Sequence, residues 1–195
     1  MKPLRILAFA GSTRQGSWNK KLLRIAVQAA TSLGAQVTVI DLRDYPLPLF
    51  DQDLEQEKGL PSNGRKLKDL FLAHDAFLIA SPEYNSSITG VLKNTIDWVS
   101  RPAAGEKPLA CFSEKTAALI SASPGGFGGM RSLIILRSLL GNIGVLVLPG
   151  QFALPKAHEA FNENEGLKDP TQISALTQVV KSFVESSAKL IGDRS

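Results

Sequence analysis

The chain has one cysteine, Cys111, among 195 residues. A lone thiol cannot form an internal disulfide, which excludes a stapled secreted scaffold and fits a reducing compartment. Long apolar runs are missing too. No stretch approaches the roughly 18–20 residues that a membrane-spanning helix needs, so the expectation is a soluble, cytoplasmic protein with no membrane partner. The opening "MKPLRILAFAGSTR" carries only a brief apolar run broken by Arg5 and no small-residue cleavage pattern. It reads as a first strand rather than a signal peptide. His74 and His158 are the two histidines, and neither stands in a metal-ligand spacing, so both read as structural or surface residues. No G-x-S-x-G elbow follows an apolar run, which removes support for Ser-His-Asp chemistry. The basic excess is small, 22 Lys and Arg against 18 Asp and Glu for a formal charge of +4, and it is scattered. Without a recognition helix, a zinc pattern or interleaved aromatics, nucleic acid is not an expected partner. A mild attraction for small anions is what the charge implies.

What is present is a regular alternation. An apolar fraction of 44% supports a substantial core. The polar stretch 51–66 is too short to separate two cores, so residues 1–195 are expected to form one domain. "LRILAFA" (4–10) is apolar apart from Arg5, as in a strand buried on both faces. Leu22, Ile25, Ala26, Ala29, Ala30 and Leu33 then recur at helical spacing, and Gly34 ends that helix. Further strands are predicted at 35–42, 75–81, 115–123 and 144–150, with helices at about 61–73, 88–100, 128–142 and 169–192. The acidic residues Asp51, Asp53, Glu55 and Glu57 read as a solvated loop. Five strands alternating with five helices indicate an α/β fold with a parallel sheet covered on both faces.

Ligands of such sheets sit at the carboxyl ends of the strands. Three segments leave strands there with unusual chemistry: 11–19, 82–87 and 121–129. The first, "GSTRQGSWN", leads into a helix N-terminus, where free N–H groups and the helix dipole favour an anion. Ser12, Thr13 and Ser17 offer hydroxyls, Asn19 an amide and Arg14 a charged donor. Gly11 and Gly16 have the spacing of a triphosphate loop, but Ser17 and Trp18 follow where that loop requires Lys and a hydroxyl residue. The dinucleotide pattern G-x-G-x-x-G fails as well, because Thr13 replaces its second glycine. A hydroxyl-rich pocket for one phosphate monoester remains.

The second segment opens "PEYNSSITGVLKNTIDWVSR" (82–101). Pro82 fixes the backbone at the strand end, and Glu83, Tyr84 and Asn85 set polar groups beside a flat aromatic side chain. Asn94, Asp97 and Trp98 read as structural. The third, "SASPGGFGGMRS" (121–132), has glycines that let backbone approach a planar ligand closely. The segment 101–119 is longer than a usual link, and its Cys111 reads as a structural thiol because no partner motif accompanies it.

Together the three segments closely resemble the NADPH-dependent FMN reductase family of flavodoxin-like proteins, which includes quinone, chromate and azo-dye reductases. The likeness spans roughly residues 4–150. It implies a flavodoxin-like three-layer sandwich with a five-stranded parallel sheet of order 2-1-3-4-5. It also implies FMN as cofactor, with Ser12, Arg14, Ser17, Trp18 and Asn19 around the phosphate. Pro82, Glu83, Tyr84 and Asn85 would border the ring on one side, and Ser123, Gly125 and Gly126 on the other. NADPH or NADH would reduce the flavin, and a quinone, azo compound, chromate or free flavin would take the electrons in a ping-pong cycle, with no side chain acting as acid or base. The resemblance further implies a homodimer or homotetramer, for which "SLIILRSLL" (132–140) is apolar enough to supply either core or contact. An FMN electron carrier that does not itself use nicotinamide is the alternative. Such carriers are typically acidic, whereas this chain has a pI near 9.3.

Overall fold

The computed structural model describes residues 3–103 and 105–192; the remaining positions of the expected 1–195 domain lie outside the described residues. The strands are β1 (Arg5–Ala10), β2 (Gln36–Asp41), β3 (Ala76–Ala80), β4 (Thr116–Ala122) and β5 (Leu146–Leu154). All neighbours run parallel, in the order β2-β1-β3-β4-β5. The helices are α1 (Trp18–Ser32), α2 (Gln52–Lys58), α3 (Ser62–Ala73), α4 (Gly90–Ser100), α5 (Met130–Asn142), α6 (Ala157–Ala160) and α7 (Pro170–Gly192). A short 3-10 turn at Leu42–Asp44 follows β2.

Parallel strands joined by right-handed crossovers decide which helix covers which face. The chain steps one way from β1 to β2 and the other way through β3, β4 and β5. Accordingly α1 and α7 cover one face, while α3, α4 and α5 cover the other. Strand alternation feeds both cores: Ile6, Ala8 and Ala10 point to the first, Leu7 and Phe9 to the second. The first core is built with small residues, Ala8, Ala10, Ala80, Ala118 and Ala122, meeting Ala26 and Ala30 of α1. The second holds the bulk: Phe9, Phe71, Phe77 and Phe112 form a cluster with ring centroids 5.0–6.1 Å apart.

Helix ends follow local chemistry. The Thr89 hydroxyl accepts from the Leu92 N–H at the start of α4. After α1, the N–H groups of Gly34 and Ala35 bond back to Thr31 and Ala30. The acidic run expected to be a solvated loop instead forms α2. Its Asp51 carboxylate accepts from the N–H groups of Asp53 and Leu54, and Glu55 pairs with Arg101 at 2.8 Å. Strand β5, expected at 144–150, extends to Leu154, because the register jumps at the bulge around Pro149 and Gly150 and then resumes at Gln151.

The long link before β4 is held to α3 by charge. Lys68 is 1% exposed, and its ammonium reaches the Arg101 carbonyl and, at 2.5 Å, the Glu106 carboxylate. Arg65 donates to the other carboxylate oxygen at 2.7 Å, and the Ala103 N–H adds a further bond. These donors, Arg65 foremost, hold the Glu106 carboxyl down at about 2. Cys111 is buried beside them, its thiol 3.9 Å from the Lys68 carbonyl and pushed up by desolvation.

Glu106→Ala leaves Lys68 charged and buried without its partner and should lower unfolding free energy by about 3 kcal/mol in a denaturant titration. Because the folded state depresses the Glu106 pKa, its contribution is complete above pH ~4.5 and is lost as pH falls toward ~2. Wild type and variant should therefore converge in stability over that acid range.

Candidate active site

The carboxyl ends of β1, β3 and β4 release the three segments picked out in the sequence, 11–19, 82–87 and 121–129; between the observed elements they run as loop one (11–17), loop two (81–89) and loop three (123–129). They close around one cleft of about 260 Å³. Its walls are Ser12, Arg14, Ser17, Trp18 and Asn19 from loop one and α1, Pro82, Glu83 and Tyr84 from loop two, and Ala122, Ser123 and Pro124 from loop three. Nine of the twelve expected site residues are thus together. Asn85 and Gly125 adjoin wall residues in the chain and Gly126 follows Gly125, but none of the three lines the cleft. Ala122 and Pro124 were missed; their adjacency to Ser123 at a strand end was the available signal.

Loop one carries the anion-binding features. Ser12 and Ser17 are 6% and 4% exposed. Ser17 is the residue before α1, yet its hydroxyl makes no capping bond to the helix, so it stays available to a ligand. The first backbone bond of α1 runs from the Lys21 N–H to the Ser17 carbonyl, so the N–H groups of Trp18, Asn19 and Lys20 precede any intrahelical partner. Arg14 folds back, bonding the Gly16 carbonyl and lying 4.8 Å over the Trp18 ring.

Asn19 lines the cleft and also has a structural task that its sequence position does not reveal. The ladder between β3 and β4 ends where the Ser81 N–H bonds the Ile120 carbonyl at 2.9 Å, and the next carbonyl on β3, that of Ser81, is taken by the hydroxyls of Ser121 and Ser132, which leaves Ala122 to another partner. Asn19 takes over: its amide donates to the Ala122 carbonyl at 2.8 Å and accepts from the Ala122 N–H at 3.0 Å. The buried side chain thereby ties loop one to the end of β4. Thr89 ties it to loop two, donating to the Gly11 carbonyl at 2.6 Å.

In loop two, Tyr84 and Ser87 exchange two backbone bonds around Asn85 and Ser86, whose φ values are +51° and +63°. Asn85 is thus placed as a turn residue, and it leaves Tyr84 at the rim, 58% exposed. Loop three is anchored at its far end. Gly129 has φ +90°, and a Cβ there would come within 1.9 Å of the Ser121 hydroxyl. Beside Gly16 and Gly126, in contrast, an added Cβ meets nothing within 4 Å, so those backbones border open space. Hydroxyls and helix N–H groups of loop one, facing Pro82, Glu83 and Tyr84 of loop two and Ser123 and Pro124 of loop three, suit a planar ligand carrying a phosphate. No metal-binding cluster of His, Cys, Asp or Glu occurs among the described residues.

Comparison with known proteins identifies the family. The family model described as NADPH-dependent FMN reductase matches residues 4–159. This chain belongs to the NADPH-dependent FMN reductase family. It is 36% identical over 195 residues to a probable NADPH:quinone oxidoreductase of Oryza sativa subsp. japonica, covering 98% of this chain and 92% of that one. It is 38% identical over 168 residues to an NAD(P)H-dependent FMN reductase of Pseudomonas aeruginosa, covering 85% of each. Among solved structures, the flavoenzyme NAD(P)H:(acceptor) oxidoreductase of Paracoccus denitrificans superposes with a TM-score of 0.81 at 28% identity, covering 95% of this chain and 98% of that one. An archaeal flavodoxin at 10% identity and TM-score 0.60 shares the fold. The flavodoxin-like order implied by the resemblance is the one observed. No helix among the described residues is long and apolar enough to cross a membrane.

Gly129→Ala adds a Cβ against Ser121 in a left-handed backbone and should cost about 2–4 kcal/mol of stability by thermal or denaturant unfolding. Gly126→Ala, with open space beside it, should leave the stability of the ligand-free protein nearly unchanged.

Proposed function

We propose that the chain is an NAD(P)H-dependent oxidoreductase that holds FMN across the three loops and reduces a small acceptor such as a quinone, an azo compound, chromate or free flavin. The observation that carries this is the convergence of the three loops on one cleft, with the hydroxyls and helix N–H groups of loop one facing Pro82, Glu83 and Tyr84 of loop two. FMN held there would supply the redox chemistry that links NADPH or NADH to the acceptor.

The chain's own residues bind and orient. The phosphate end is formed by the Ser12 and Ser17 hydroxyls, the N–H groups opening α1 and its positive dipole end, with Trp18 beside them. Arg14 supplies a charge-assisted donor by turning from the Gly16 carbonyl to the phosphate. Asn19 serves the site by holding Ala122. Pro82, Glu83, Tyr84 and Asn85 form one border of the ring site and Ser123, Gly125 and Gly126 the other. Backbone N–H groups of these loops stabilise negative charge that develops on the ring. A cytoplasmic setting fits the single, buried thiol of Cys111.

The purified protein should be yellow and should oxidise NADPH when a quinone is present. A colourless protein that takes up no added FMN overturns the proposal, and bound FMN without NADPH or NADH oxidation points instead to an electron carrier. Arg14→Ala combined with Ser17→Ala should weaken FMN binding at least about tenfold, the scale of losing charged hydrogen bonds, without unfolding the chain.

A homodimer belongs to the same proposal, and a pair of such dimers would give a tetramer. Leu133, Leu136 and Leu140 of α5 face the core, but Met130 and Ile134 are 44% and 59% exposed and continue from Phe127, 67% exposed, at the edge of loop three. This apolar strip fits a second copy of the chain. Ile134→Asp should convert the dimer to a monomer in light scattering; a wild-type monomer refutes the pairing.

A further inference from the structure

Glu83 and Arg131 join two loops that have no backbone ladder between them. The Glu83 side chain is 8% exposed, and one of its oxygens accepts from the Arg131 guanidinium, with Nε at 2.7 Å. The other accepts from the Arg131 backbone N–H at 3.1 Å, in the first turn of α5. Both oxygens are therefore engaged by one residue. The carboxylate is placed where a helix N-terminus stabilises negative charge, and its burial requires a paired cation.

The surroundings continue the connection. The Arg131 guanidinium also lies 5.4 Å over the Phe127 ring, so it reaches loop three on the far side of Gly128 and Gly129. Below the ion pair, the Ser81 carbonyl at the root of loop two accepts from Ser121 at 2.6 Å and from Ser132 at 3.2 Å. These hydroxyl bonds fix the floor, while the ion pair fixes the rim. Tyr84 follows Glu83 directly, so the same pair ties the stretch of loop two that carries Tyr84 to the start of α5.

We propose that the Glu83 side chain, although Glu83 stands in the cleft wall, acts as a positioning group: both its oxygens are engaged by Arg131, and it sets the width of the cleft by holding loop three to loop two rather than by bonding the ligand. This rests on the FMN reading above for what the cleft receives. Arg131 becomes a site residue by the same argument, although it lies outside the cleft wall.

The test is a double-mutant cycle with two readouts. Glu83→Ala and Arg131→Ala should each weaken FMN binding about tenfold in a fluorescence titration of FMN-free protein, as expected for truncating a charged hydrogen-bonded pair. The double variant should be no weaker than either single one, within about twofold. In the absence of FMN, trypsin should cut after Arg131 about tenfold faster in Glu83→Ala than in wild type, because the first turn of α5 is no longer held. Multiplying losses in the double variant overturn the proposal and make Glu83 a direct ligand contact. Unchanged FMN affinity with only a lowered melting temperature also overturns it. Should Glu83→Ala fail to fold, Glu83→Gln, which keeps an acceptor for the backbone N–H, should show the same coupling at about threefold loss. If wild-type protein takes up no FMN, the functional proposal fails, and the trypsin comparison still decides whether Glu83 holds the loop.

Discussion

Right-handed crossovers impose a reversal between β1 and β3, and the site depends on it. The chain leaves β1 toward α1 on one face and leaves β3 toward α4 on the other. Two adjacent parallel strands therefore send their carboxyl-end loops apart, and the gap between them becomes the crevice. A loop with a helix N-terminus on one side and a proline-led turn on the other follows from this topology before any specific ligand is considered.

A gap of this kind has a cost, because strands that part leave backbone groups without ladder partners. This chain answers with side chains. The amide of Asn19 stands in for a peptide group beside Ala122, Thr89 closes loop one against α4, and Ser121 and Ser132 converge on the Ser81 carbonyl. Among the described residues, no fully buried side-chain nitrogen or oxygen is left without a partner. Loops built this way are rigid at their roots and open at their tips, where Tyr84 and Phe127 stand exposed. That division suits a site that must hold a cofactor firmly and admit other molecules to its face.

The opposite edge of the sheet serves stability. Arg5 and Asp75 pair at 2.6 Å, Lys115 donates to the His74 carbonyl, and Lys68 with Glu106 secures the long link before β4. Burial lowers the Lys115 pKa, and nearby Asp75 acts against that shift. Glu106, Cys111 and Lys115, whose proton affinities are shifted by pairing or burial, belong to the segment entering β4 at its amino end, and the cleft lies at the other end. Trp98, read from the sequence as structural, is fully buried and donates to the Pro48 carbonyl, helping to seat the irregular segment after β2.

Much of this was legible in the chain. The central strands are buried on both faces and so appear as continuous apolar runs, and the three loop motifs stand at strand ends. Other features were hidden for a physical reason. Helix α2 has no apolar periodicity; it is capped locally by Asp51 and held by Arg101, 46 residues from Glu55. Strand β5 looked finished at Pro149 and Gly150 because a bulge resembles a stop when its partner strand is unknown. Asn19 and Glu83 show the same limit inside the site. Local pattern determined which residues stand at the crevice, since hydrophobic alternation and turn chemistry act over a few positions. Only the tertiary structure decided which of their polar atoms face the cleft and which bond one another, because the partners lie 103 and 48 residues away.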